Sequence, residues 1–96
     1  MGCLMPRYRV TVTCDGLTSD EGRLASLSVL GEFGQRPWHQ CASCTWDGKL
    51  LWFVADNDYD ATGKALLDEF GDALIATLNM NGTINLEIRS VVQIGD

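Results

Sequence analysis

The chain opens with alternating apolar and polar positions. In Arg7–Cys14, Tyr8, Val10, Val12 and Cys14 fall on one side and Arg7, Arg9, Thr11 and Thr13 on the other. This period of two marks a half-buried strand. Asp15-Gly16 ends it. Thr18-Ser19-Asp20-Glu21 then spells a capping box, in which the Thr hydroxyl and the Glu carboxylate satisfy opposed N–H groups at a helix start. Leu24, Leu27, Leu30 and Phe33 follow at spacings of three and predict one apolar stripe. Gly31 or Gly34 ends that helix through the left-handed conformation open to glycine.

Arg36-Pro37 returns the chain to an extended stretch, Trp38–Trp46. Asp47-Gly48 predicts a two-residue hairpin turn with positive φ at both positions, and Lys49–Ala55 is the return strand. Such a turn pairs Trp46 with Lys49, Cys44 with Leu51 and Ala42 with Phe53, and puts Ala42, Cys44, Leu51 and Phe53 in the core. His39, Cys41, Ser43 and Thr45 then share the other side with Leu50, Trp52 and Val54. Beyond Asp56-Asn57-Asp58-Tyr59-Asp60, Leu67, Phe70, Leu74 and Leu78 recur at helical spacing, with Asp68 and Asp72 opposite. Asn81-Gly82 stops this second helix. Thr83–Ile94 alternates again, with Ile84, Leu86 and Ile88 inward and Thr83, Asn85, Glu87 and Arg89 outward. The pattern slips at Val91-Val92, as at a bulge.

The order β-α-β-β-α-β predicts an α+β, ferredoxin-like fold: a four-stranded antiparallel sheet with two helices on one face and the other face open. The alternative is an Asn81-Gly82 hairpin that pairs Leu74, Ala76 and Leu78 with the last strand. That arrangement shortens the second helix and adds a C-terminal hairpin strand. Residues 7–96 read as a single domain, and 1–6 as a disordered lead-in.

Composition narrows the classes. Ninety-six residues, 46% hydrophobic and 21% charged, suit one compact domain and exclude disorder as the main state. The longest wholly apolar stretch, Leu50–Ala55, is too short for a membrane span. Net charge −6 argues against broad binding to a nucleic-acid backbone. The excess is uneven: residues 1–48 hold four bases against five acids, and residues 49–96 three against eight. The N-terminus lacks the pattern of a secretory signal, and Pro6 stands where a myristoylation motif wants Ser or Thr. A cytoplasmic protein with free thiols is expected.

Chemistry-bearing motifs are weak. Cys41-Ala-Ser-Cys44 lies in a strand, where residues three apart point to opposite faces; buried structural cysteines are expected unless a bulge intervenes, and no cofactor or metal. Asp56, Asp58 and Asp60 share the alternation of a calcium loop. However, Ala61 replaces its turn glycine and Leu67 its bidentate acid, so at most weak divalent-cation binding is foreseen there. A simpler role is that Asp58 or Asp60 caps the second helix. Gly63-Lys64 lacks the residues of a phosphate loop.

The expected function is that of a small non-enzymatic binding or regulatory domain, contacting another protein or itself through the open sheet face. Arg9, Trp52 and Arg89 are the expected contacts, with Trp38 and Trp46 as further anchors, since Trp and Arg dominate binding hot spots. An alternative is an acidic decoy or inhibitor whose patch of Asp56, Asp58, Asp60, Asp68 and Asp72 occupies a basic nucleic-acid-binding groove on a partner enzyme.

Overall fold

The structure, a computed structural model, describes residues 7–78 and 83–95. Its elements are β1 (Arg7–Asp15), α1 (Ser19–Phe33), β2 (Gln40–Trp46), β3 (Leu51–Asn57), α2 (Lys64–Thr77) and β4 (Asn85–Gly95). The strands form one antiparallel sheet in the order β2-β3-β1-β4. This is the ferredoxin-like α+β arrangement, and residues 73–77 are helical, as the longer second helix requires. The Asn81-Gly82 stop lies outside the described residues.

Val10, Val12 and Cys14 of β1, with Leu51, Phe53 and Ala55 of β3, are fully buried. Phe53 stands at the centre. Its ring lies 4.4 Å from Phe33 of α1 and 5.4 Å from Phe70 of α2, stacked on the latter at 4°. One aromatic side chain thus ties both helices to the sheet, using the specific geometry that aromatic pairs favour.

The α1 capping box forms as the sequence predicts: Glu21 N donates to Thr18 Oγ1, and Thr18 N donates to Glu21 Oε1. The buried stripe differs. Gly22, Ala25, Val29 and Phe33 face the core, while Leu24 and Leu27 are 53% and 75% exposed. At 100° per residue a step of three falls roughly 60° short of a full turn, so Leu24 and Phe33 end on opposite sides of the helix. Gly34 does cap α1, yet in the right-handed conformation, φ −59°.

The β2–β3 turn also differs. Trp46 pairs with Leu51, Thr45 with Trp52 and Cys44 with Phe53, so the loop is Asp47–Leu50, and only Gly48 has positive φ. Asp47 explains the longer loop: its carboxylate accepts from Lys49 N and Leu50 N, and these bonds with the Trp52 indole hold its pKa below the ordinary carboxylate value. Because the register moves by two residues, each side chain keeps its face, and Ala42 and Cys44 still pack on the core. Three irregularities remain, one of them at the strand end between Arg7 and Tyr8 of the β1–β4 ladder. The β2 ladder shifts between Gln40 and Ser43, with Cys41 at φ 53°. The β4 ladder skips Arg89, opposite Thr11/Val12, slightly earlier than Val91-Val92.

Candidate functional site

The open face of the sheet begins with outward residues of β1. Arg9 pairs across the ladder with Asp56, Thr11 with Val54 and Thr13 with Trp52; on the other flank Thr11 pairs with Ser90 and Thr13 with Glu87. Trp52 is held from two sides. Its Nε1 donates to Asp47 Oδ2 at 2.7 Å, and the Arg89 guanidinium lies 5.7 Å from its ring centroid. Arg89 Nε in turn donates to Thr13 Oγ1 at 2.9 Å. The bulge gives Arg89 a place in the ladder without a partner residue on β1, which lets its side chain lie along the face towards β3.

At the other end of β1, Arg9 grips Asp56 with two hydrogen bonds, 2.9 and 3.0 Å. Asp56 is 2% exposed. Burial of a carboxylate demands such a partner.

Beyond that pair lies a pocket of about 220 Å³ lined by Arg7, Trp38, Gln40, Asn57 and Asp58. A cluster centred on His39 braces it. His39 Nε2 lies 2.7 Å from Glu69 Oε2 and Nδ1 lies 3.4 Å from Asn57 Nδ2. Asn57 Oδ1 already accepts from Tyr59 N and Asp60 N, so its amide nitrogen faces the ring and makes Nδ1 an acceptor. Nε2 therefore carries the proton and donates to Glu69. Arg36 Nε, 3.2 Å from Glu69 Oε1, and the Trp38 indole, which donates to the same oxygen at 3.3 Å, complete the cluster. Burial and the neighbouring Glu69 push the Tyr59 hydroxyl up to about 12.

Of the expected contacts, Arg9, Trp52 and Arg89 share the open face. Trp38 stands at the pocket, 48% exposed. Trp46 is on the opposite face, its ring against Gly22 of α1. His39 is not on the open side either: its side chain is fully buried, 5.5 Å from the Phe33 ring. Leu50 belongs to the turn, and Thr83 precedes β4.

The acidic residues separate. Asp60 is 4% exposed and accepts from Ala65 N and Leu66 N, so it caps α2 from ahead of Gly63, which has φ 82° and no capping side chain. Asp56 belongs to Arg9. Asp58, Asp68 and Asp72 alone are exposed; the five carboxylates do not form one patch, and a decoy surface loses two of its members. Asp56, Asp58 and Asp60 do not converge, and among the described residues no three His, Cys, Asp or Glu side chains gather as metal ligands.

The cysteines are free at 14, 41 and 44. Cys14 is buried and Cys44 half-buried, with burial raising their thiol pKa values from 9.0 to about 11 and about 12. Cys41, on the bulge, is exposed and departs from the expected burial.

Sequence reasoning missed Arg7, Gln40, Asn57 and Glu69. Two signals were present: Asn57 precedes the turn that its side chain closes, and Glu69 lies three residues after Leu66 and four before Ala73, on the edge of the buried face of α2. No helix among the described residues is long and apolar enough to cross a membrane. In comparisons with known proteins, no family model, curated protein or solved structure matches the chain.

Proposed function

We propose that the chain is a small binding domain that engages another protein, or a second copy of itself, through the open face of its sheet. The Trp52–Arg89 pair carries this reading. Trp and Arg are the residues most enriched where binding energy concentrates, and here both are oriented before any partner arrives, by Asp47 and Thr13. Side chains held in place beforehand lose less entropy on association.

The surroundings suit the same role. Thr11, Ser43, Thr45 and Ser90 give short polar neighbours along the ladders, and Val54 and Val92 add apolar area. Arg9 and Arg89 offset Asp56 and Glu87, so the face is locally balanced within a chain of net charge −6. A balanced patch tolerates a second copy of itself where the remaining acidic surface repels one.

Sedimentation across a concentration series, together with affinity capture at low and high salt, tests the proposal. Trp52→Ala is expected to weaken self-association or capture about ten-fold or more with the circular dichroism unchanged. Equal association by the parent, Trp52→Ala and Arg89→Ala proteins removes the sheet-face site.

A further inference from the structure

The pocket at the start of β1 is separate from the Trp52–Arg89 pair. Arg7 and Thr13 stand six positions apart on one strand, roughly 20 Å at 3.3 Å per residue. At about 220 Å³, it has the volume of roughly seven waters. It therefore admits a small metabolite and excludes a helix or a nucleic-acid strand.

Its lining has a specific chemistry. Arg7 is the base and Asp58 the acid among the five lining residues, and they form no ion pair with each other. Arg7 spends one of its five donors on Gln40 Oε1 at 2.6 Å. The Asp58 side chain has no hydrogen-bond or ion-pair partner among the described residues. The Trp38 indole also lines the pocket; its Nε1 is engaged with Glu69, so the ring offers an apolar surface. The Asn57 amide is fixed by three bonds. Two opposite charges left apart, an aromatic wall and walls braced from behind suit one compact ligand with both charges and an organic side chain.

We infer that this pocket binds a free α-amino acid, its carboxylate on the Arg7 guanidinium, its ammonium on Asp58 and its side chain against Trp38. A guanidinium matches a carboxylate in two-point geometry, and hydrogen bonds between charged groups are about twice as strong as neutral ones. Recognition therefore needs both ends of the ligand.

The test is a nitrogen-15 NMR titration of the full chain with free amino acids of acidic, basic, aliphatic and aromatic type, up to about 10 mM. The Trp38 indole and Asn57 side-chain amide signals are followed. At least one amino acid is expected to shift both. Its matched carboxylic acid without the amine, and its matched amine without the carboxylate, bind about ten-fold or more weakly, and Arg7→Gln and Asp58→Asn each cost a similar factor. The inference is overturned if no amino acid shifts these signals, if either truncated analogue binds as well, or if both variants bind like the parent. Trp52→Ala, on β3 opposite the far end of β1, leaves the titration unchanged, so this result stands apart from that of the sheet-face test.

Discussion

The two helices reach the same sheet by opposite means. α2 buries large side chains, Leu66, Phe70 and Leu74, and fills the space above β1 and β4 with them. α1 buries mostly small ones. A Cβ added at Gly22 would come within 2.2–2.5 Å of the Trp46 ring, so the sheet supplies the bulk and the helix makes room. The difference teaches where each interface is sensitive: α2 to loss of volume, α1 to its gain. It also leaves α1 with two leucines, Leu24 and Leu27, on its outer surface.

The largest effect should come from emptying the α2 side. Phe70→Ala is expected to destabilise by about 3–5 kcal/mol, seen in urea denaturation, because it removes the ring stacked on Phe53. Gly22→Ala is expected to cost about 1–3 kcal/mol by overpacking, although alanine is the better helix former. Combining it with Trp46→Leu should recover part of that cost. Strict additivity of the two would break the account of α1, since contacting sites couple.

On a smaller scale, Asp60→Ala should cost about 1 kcal/mol through the lost α2 cap, and a loss near zero would mean that the Gly63 turn suffices. Leu27→Lys, on the exposed side of α1, should change stability by less than about 0.5 kcal/mol. A large loss there would show that the leucine has a packing partner.

Alkaline pH adds a test of the core that both helices cover, through Cys14 and Cys44, and of the His39–Glu69 cluster, through Tyr59. Cys14, Cys44 and Tyr59 keep their protons in the fold up to about 11, 12 and 12, whereas the unfolded chain releases them at ordinary thiol and phenol values. The unfolded state thus binds fewer protons between those limits, and stability must fall as pH rises through that window. Denaturation midpoints should decline from about pH 9 upward, less steeply in a Cys44→Ser protein. Alkylation at pH 8, read by peptide mapping, should modify Cys41 well before Cys14 and Cys44. Equal rates would contradict their burial.

Local rules reached some parts of the molecule and not others. The capping box at Thr18–Glu21, the inward set of β1 and the strand-helix order needed only neighbours in sequence. Leu24 and Leu27 misled because a spacing of three resembles a helical stripe over one turn and drifts off it over three. Asp47-Gly48 misled because a side chain, not a turn dihedral, closes the hairpin loop. Of the open face, Arg9, Trp52 and Arg89 were readable from alternation. The pocket was not, since Arg7, Trp38, Asn57 and Asp58 come from three separate segments.

Sequence alone determined the period of β1 and β3, the start of α1, the order of elements and the concentration of acid in the second half. Those properties follow from covalent neighbours and backbone geometry. Tertiary structure decided which acids remain at the surface, since Asp56 is buried under Arg9 and Asp60 under the first turn of α2. It also decided that Gly22 faces Trp46, and that His39 donates to Glu69 in place of lining the sheet. Each of these is a contact between groups at least five residues apart. A pattern of single residues carries no information on such a contact until the chain has closed on itself.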